Sequence, residues 1–294
     1  MATSLSVRRI ALPALDRAQY APIVLTTLAF VILFARPMIL LAQDWWSNPE
    51  AGHGLLLAPL AVWLAWKAGV REDAKGNAPL GISLIVGAVG IRYLSGLAAE
   101  LFTMRMSMVM AMVGLIIYYL GVRQIVRWWL PLSLFVLSVP LPEILLGRIA
   151  LPLQFKASQI GATLLEWRRV PVLLSGNVIR IPGHELFVAE ACSGLRSLTA
   201  LLSLAVLTGG MMLRFPVSRA LLVLIAVPVA VAINGIRVFL TAFLVYFVSP
   251  ELGQGFMHLT EGWLMFLVAL SILAACAWII ALVESLRPQE VASA

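Results

Sequence analysis

The chain is poor in charged residues, and this shortage limits the class of protein to which it can belong. Only 12% of its 294 residues are charged, whereas 62% are hydrophobic. Soluble domains carry about 25% charged residues, roughly twice this share. A soluble enzyme or binding domain is therefore excluded. The composition is typical of a polytopic protein whose helices lie in a lipid bilayer.

Cysteine is also scarce, and the common metal and nucleotide motifs are absent. The two cysteines are Cys192 and Cys276. A helix that starts near His258 places Cys276 about 27 Å deeper in the membrane, so a Cys192 at the surface could not form a disulfide with it. The sequence contains no His-Glu-x-x-His, Gly-x-x-x-x-Gly-Lys, Cys-x-x-Cys or Gly-x-Ser-x-Gly. It therefore predicts no metal, cofactor or serine-hydrolase site.

The net charge of +7 indicates the orientation in the membrane rather than nucleic-acid binding. The short segments 42–53 and 248–258 contain no Lys or Arg. The alternate connections are basic, and the positive-inside rule makes these cytoplasmic. Their basic residues are Arg8, Arg9, Arg17, Lys67, Arg71, Lys75, Arg123, Arg127, Arg214, Arg219 and Arg287. Both chain termini are thus predicted to be cytoplasmic.

The apolar runs predict an all-α integral membrane protein with about eight transmembrane helices in one domain, 1–294. A span needs roughly 17–25 apolar residues. The first run, Tyr20 to Leu41, reads as a retained signal anchor, because it is too long for a signal peptide. The cytoplasmic tails are 1–19 and 286–294. The other predicted spans are 54–68, 79–97, 101–120, 124–140, 192–210, 217–247 and 259–284.

Segment 141–191 is the largest piece outside the predicted spans, and counting spans from the N-terminus places it on the outer, periplasmic face. Its first half, Glu143 to Trp167, has the pattern of an amphipathic helix in the membrane interface. Its second half has β-branched runs separated by Ser175-Gly-Asn177 and Pro182-Gly183. This pattern predicts two or three short strands joined by tight turns. We read His184 as an exposed residue of a hairpin turn. The hairpin leads directly to Cys192.

The segment Glu190-Ala-Cys-Ser-Gly-Leu-Arg-Ser197 has the residues of a reactive thiol. A lone cysteine is often only a small buried apolar residue. Here, however, Ser193 and Gly194 predict a tight backbone at a helix start, which favours a thiolate and can receive an oxyanion. Arg196, four residues after Cys192, lies on the same helix face and lowers the thiol pKa further. Glu190 could orient a basic partner.

Two later polar positions are predicted to lie at the same membrane surface. Arg237 is inside an apolar run, where a charged residue is costly and is usually functional or paired. Asn234 and Thr241 are its i−3 and i+4 neighbours, so the three form a polar stripe. His258 opens the last span. The alternatives are a structural Arg237 bonded to loop carbonyls and an ordinary interfacial His258.

These blocks resemble the exosortase/archaeosortase family. The resemblance is carried by Glu190–Ser197, by Asn234-Gly-Ile-Arg-Val238, and by His258 with Gly262-Trp263 and Phe266. The run from His53 to Leu60 and the segment Gly176–Gly183 are similar to further family blocks. The resemblance extends over roughly 45–285, and His258, where the archaeal branch has Arg, places the chain in the bacterial exosortase branch.

The resemblance implies an integral-membrane cysteine protease or transpeptidase of the inner membrane, with its site on the periplasmic face. Its substrates would carry a C-terminal sorting signal of the PEP-CTERM type: a short motif, a transmembrane helix and a basic tail. Cys192 would form an acyl thioester, and Arg237 and His258 would complete the site. Proton donation by Arg237, with His258 stabilising the transition state, is favoured, and the reverse assignment stays open. An accessory protein encoded elsewhere could replace the C-terminal soluble domain of some exosortases.

A transporter is the main alternative from another class, with Arg237, Arg105 and His258 along a polar pathway. Such a pathway requires polar residues between the two membrane faces. The polar residues of the last three predicted spans instead gather at one end, whereas Leu201–Leu207 and Leu221–Val227 are apolar. A purely structural membrane scaffold is the third alternative.

Overall fold

A computed structural model describes residues 17–48, 50–188, 195–249 and 255–286 of the chain. The described part is mostly helical, with one small sheet. It divides into two compact units, of which the first contains residues up to 48 and 54–139, and the second contains 49–53 and residues from 140 onwards. The elements are α1 (Arg17–Ser47), α2 (Gly54–Ala68), α3 (Ala78–Leu97), α4 (Leu101–Leu120), α5 (Val122–Arg127), α6 (Trp129–Leu137), α7 (Glu143–Trp167), β1 (Leu173–Ser175), β2 (Val178–Ile181), β3 (His184–Phe187), α8 (Leu195–Met212), α9 (Pro216–Phe247) and α10 (Gly255–Leu286).

The helices confirm an all-α membrane protein. Among the described residues, five helical segments are long and apolar enough to cross a bilayer, and α2 and the part of α8 from Ser197 are apolar but shorter. The five are Ala21–Ser47, Ala78–Leu97, Leu101–Leu120, Pro216–Phe247 and Trp263–Leu286. The total of eight spans and the periplasmic location of the insert stay predictions.

The predicted fifth span, 124–140, is two short helices rather than one. α5 ends at Arg127 and α6 begins at Trp129. Side chains around this break bond the carbonyls that end α2: Gln124 Nε2 and Trp128 Nε1 each donate to the Gly69 oxygen at 3.1 Å, and Arg127 Nε donates to the Ala68 oxygen at 2.8 Å. The last carbonyls of a helix have no hydrogen-bond donor within it. Gln124, Arg127 and Trp128 supply these donors, which explains why their polar side chains lie beside the end of α2.

Helices α3 and α4 pack closely in the first unit because glycines lie where the two helices meet. A methyl group added to Gly81 would lie 2.6 Å from Tyr118 Cβ, and one added to Gly114 would lie 2.9 Å from Ile85 Cγ1. Such contacts are shorter than any side chain tolerates, so only glycine permits this separation. The buried cluster beside this pair consists of Phe34, Leu41, Ala88, Met108, Val109, Ala111 and Val139.

The three strands form an antiparallel sheet in the order β1-β2-β3, as the turn residues predict. Both connections are two-residue turns with glycine at positive φ, +66° at Gly176 and +79° at Gly183. His184 is not in the turn: it is half-buried and begins β3, paired with Ile181. Ile179 and Ile181 are buried, so the face of the sheet that carries them packs against helices of the second unit.

Helix α7 has the predicted bounds, but much of it is packed against protein. Its described buried residues are Ala150, Gln154, Ala157, Ser158, Gly161, Ala162 and Leu165. At its closest approach to α9, a methyl group on Gly161 would lie 2.7 Å from Val238 Cγ1, and one on Gly235 would lie 2.6 Å from Ile160 Cβ. The two backbones therefore meet through their glycines. The location of α7 in the membrane interface stays a prediction.

Gly161→Ala tests this crossing, and Gly147→Ala on the same helix is its control. Gly147 is exposed, with no atom within 4 Å of an added methyl group. We expect Gly161→Ala to lower the free energy of unfolding by about 1–3 kcal/mol through overpacking. Gly147→Ala should be neutral or stabilise by up to about 1 kcal/mol. Unfolding in detergent micelles measures both, and equal effects of the two changes would contradict the close crossing.

Candidate functional site

The structure describes the predicted site residues to different extents. Asn234 and Arg237 are described in full, as part of α9. Arg196 and His258 belong to α8 and α10, but their side chains lie outside the described part of the chain. Four further predicted residues also lie outside the described residues: Glu190, Cys192, Ser193 and Gly194. The convergence of these six residues with Asn234 and Arg237 therefore stays a prediction.

Helix α9 determines where Asn234 and Arg237 lie. Gly235 and Val238 face α7 at the close crossing, which turns Asn234 and Arg237, one position before each, towards other neighbours. Asn234 is 5% exposed and Arg237 is half-buried. Arg237 lies roughly 32 Å from the start of α9 at 1.5 Å per residue, and about 15 Å from its end. The cation is therefore in the C-terminal half of the helix.

Thr241 does not extend the predicted polar stripe as a free hydroxyl. Its Oγ1 donates to the main-chain oxygen of Arg237 at 3.0 Å. This back-bond to the residue four positions earlier is common for threonine in helices. The polar side chains of α9 that line the adjacent cavity are Asn234 and Arg237.

Asn234 and Arg237 line a cavity of about 30 Å³ among α8, α9 and α10. Ser197 of α8 supplies a third polar group, and Met265 and Phe266 of α10 form part of the apolar wall. The remaining lining residues are Leu201, Ala230, Ile233 and Ala269. By this measure a cavity needs roughly 10–15 Å³ to hold one water molecule. The cavity can therefore hold one small polar group beside a cation.

The cavity is close in sequence to the predicted residues whose side chains are not described. Ser197 follows Cys192 by five positions, and Met265 follows His258 by seven, which is about 10 Å along a helix. Ser197 is the third residue of α8, so the cavity lies beside the N-terminal end of that helix. Sequence reasoning did not assign Ser197 or Met265 to the site. For α9 the spacing 230, 233, 234 and 237 was an available signal, because these positions share one helix face.

Arg105 has a partner in the first unit. It is 3% exposed, and its Nη2 donates to Asp44 Oδ2 at 2.6 Å and, more weakly, to the Leu40 oxygen at 3.4 Å. Glu100 caps the same helix, accepting from the backbone N–H of Phe102 at 3.0 Å. Partial burial raises the pKa of Glu100, but hydrogen bonds from Thr103 and Phe102 and the charge of Arg105 together hold it below its ordinary value. These contacts give Arg105 a role in joining α4 to α1.

The described residues contain no group of three His, Cys, Asp or Glu side chains close enough to hold a metal ion. What the described site offers is a fixed cation, an amide and a hydroxyl at the edge of an apolar helix bundle. In a medium of low dielectric constant, such a cation interacts strongly with any negative charge that develops beside it. This arrangement is suited to stabilising an oxyanion.

Comparison with known families identifies the kind of protein to which these elements belong. The family model of transmembrane exosortases matches residues 45–275, which is most of the 294-residue chain and confirms the family resemblance seen in the sequence. The search of curated proteins found no match. The search of solved structures found none either.

The ion pair of Arg105 with Asp44 generates a prediction about stability. Asp44→Asn removes the carboxylate and leaves a buried guanidinium, so we expect a loss of about 3 kcal/mol in the free energy of unfolding. The double change Asp44→Asn with Arg105→Met removes both charges and should recover much of this loss. Denaturant unfolding of the parent, Asp44→Asn, Arg105→Met and the double variant gives the coupling energy. Additive losses would contradict a direct pair.

Proposed function

Because the chain belongs to the transmembrane exosortase family, we propose that it is a cysteine transpeptidase that cleaves C-terminal sorting signals of exported proteins. Family membership itself carries the coarser statement, a membrane-embedded sorting protease or transpeptidase. One observation supports the finer proposal: Arg237 and Asn234 share a small cavity with Ser197, which closely follows Cys192. A cation and a thiol near one another are the equipment for acyl transfer through a thioester.

Cys192 is the proposed nucleophile. It precedes Leu195, the first described residue of α8, by three positions. A helix N-terminus presents unbonded N–H groups and the positive end of the helix dipole, which lower the pKa of a nearby thiol. Arg196 would add a positive charge in the next turn. Ser193 and Gly194 provide backbone N–H groups for an oxyanion, and Glu190 orients a basic group of the site.

Arg237 is the proposed electrostatic partner of the reacting carbonyl. A guanidinium is a planar cation and offers several donors in one plane. A half-buried arginine in an apolar bundle is costly, and stabilisation of a transition state is a reason to retain it. Asn234 lies one turn before Arg237 on the same helix face and adds an amide to the lining of the same cavity. His258 acts with it on the developing negative charge.

The proposed reaction has two halves. The Cys192 thiolate attacks the scissile carbonyl carbon, a C–S bond forms, and the oxyanion is held by the positive groups and backbone N–H donors. The C–N bond then breaks, and the leaving amine takes a proton from a water that is hydrogen-bonded to Arg237, which leaves a hydroxide beside the cation. In the second half an acceptor nucleophile gives its proton to this hydroxide as it attacks the thioester, which restores the water. Cys192 then departs as a thiolate.

The proposed substrate is itself a membrane protein segment. A sorting signal with a short motif, a transmembrane helix and a basic tail would lie beside α8–α10, with its scissile bond at the membrane surface. The segments without Lys or Arg, 42–53 and 248–258, support a periplasmic location of that surface and an inner-membrane location of the protein. An accessory protein at the same surface is part of this proposal.

Cys192→Ser is the first test of the mechanism. A serine hydroxyl without a dedicated base stays protonated, so cleavage of a reporter with a sorting signal should fall at least about 1,000-fold. The control is Cys276→Ala, which changes a half-buried thiol 18 positions beyond His258 in α10 and should leave cleavage unchanged. Mass spectrometry of the parent trapped with substrate should find the acyl group on Cys192. Normal cleavage by Cys192→Ser would refute the nucleophile.

Arg237→Lys tests the need for a planar, permanently charged group. Lysine retains the charge but not the paired donors, so we expect kcat to fall about 100-fold, as for loss of an oxyanion donor. The control is Arg148→Lys, at an exposed position of α7 in the same unit. Single-turnover cleavage and thermal unfolding are measured together. Full activity of Arg237→Lys would mean that a point charge is sufficient.

A further inference from the structure

Asn177 holds both backbone groups of Val188, the last described residue before Cys192. The Val188 N–H donates to the Asn177 main-chain oxygen at 2.9 Å. The Asn177 side-chain nitrogen Nδ2 donates to the Val188 oxygen at 3.3 Å. One residue of the β1–β2 turn therefore fixes the position and direction in which the chain leaves β3.

Asn177 is in turn tied to α7 by a buried amide. Its Nδ2 also donates to Gln154 Oε1 at 3.1 Å. Gln154 is only 5% exposed, and Ser158, which is fully buried one turn later, donates to the Gln154 main-chain oxygen at 2.8 Å. A buried amide is retained where its hydrogen bonds are needed, because burying it without them costs free energy.

The same helix, α7, is fixed against the helix that carries Arg237. Gly161 lies two turns beyond Gln154, and its backbone meets Val238, the residue after Arg237. The side chain of Val188 belongs to the same buried cluster as Val238 and Ala157 of α7. A continuous path of contacts therefore joins the exit of β3 to Arg237 by way of Asn177, Gln154 and α7.

We propose that Gln154 and Asn177 are positioning residues for the nucleophile, and this inference rests on the proposed function of Cys192. Val188 precedes Cys192 by four residues, which reach at most about 14 Å. The hydrogen bonds of Asn177 to Val188 and Gln154, which we call the amide tie, fix the end of that segment at the sheet. The start of α8 fixes its other end. The tie thus sets the location of the thiol relative to Arg237 without touching the substrate. The local sequence pattern does not mark Gln154 for this role.

Gln154→Met tests the tie, because methionine has a similar shape but cannot accept the hydrogen bond from Asn177. A misplaced nucleophile slows the chemical step, so kcat should fall about 10- to 100-fold, whereas KM should change less than about twofold. Gln154→Glu, kept protonated by burial, still offers an accepting oxygen and should retain more activity than Gln154→Met. The matched control is Gln159→Met, at an exposed position on the same helix.

A second readout does not depend on catalysis. Hydrogen–deuterium exchange of the full-length protein should speed up severalfold in the peptide that covers 184–196 of Gln154→Met, and should stay unchanged in the peptides of α9. Unchanged exchange and kcat would overturn the proposal. A fall in kcat together with an equally large rise in KM and a lower thermal stability would also overturn it, because the amide would then be only structural. Faster exchange at 184–196 in an enzyme that does not need Cys192 would instead locate the failure in the proposed function.

Discussion

The close approach of α7 and α9 determines how the rest of the second unit is arranged. The two helices are held together by close packing at their glycines and by a shared buried cluster that contains Ala157, Val238 and Ala242. Gly161 and Gly235 allow the two backbones to meet at distances that no side chain would tolerate. Because α9 is fixed on that face, Asn234 and Arg237 face α8 and α10. The position of the half-buried cation of Arg237 is thus a consequence of two glycines.

Several of the scarce polar side chains in the described residues complete helix ends. Glu284 of α10 accepts from the backbone N–H of Arg214 at 2.8 Å and of Phe215 at 3.2 Å, at the start of α9. Gln124 does the equivalent at the end of α2. Helix ends within or beside a membrane need such partners, because lipid supplies none. Arg237 differs from these, since it lies within α9 and not at an end, and the proposed role beside the reacting carbonyl is a reason to retain it there.

How far the sequence predicts this molecule depends on the range of the interactions involved. The bounds of α7 and the strand turns at Gly176 and Gly183 follow from local pattern and backbone preference, and they are confirmed. The break at Trp128 is not visible locally, because it depends on carbonyls about 60 residues earlier in the chain. In the site, Asn234 and Arg237 follow from i, i+3 spacing. Ser197 and Met265 enter the cavity only through tertiary packing, which no local pattern contains.

Photo-crosslinking is the most direct test of the claim that the α8–α10 cavity is where the sorting signal reacts. A reporter substrate carries benzoylphenylalanine beside the scissile bond, and Cys192→Ala enzyme in inner-membrane vesicles holds it uncleaved. Irradiation, digestion and mass spectrometry then identify the attachment sites. The account predicts crosslinks to the lining of the cavity, in peptides that contain 197–201, 230–237 or 265–269. Crosslinks confined to α3 and α4 of the first unit would contradict it.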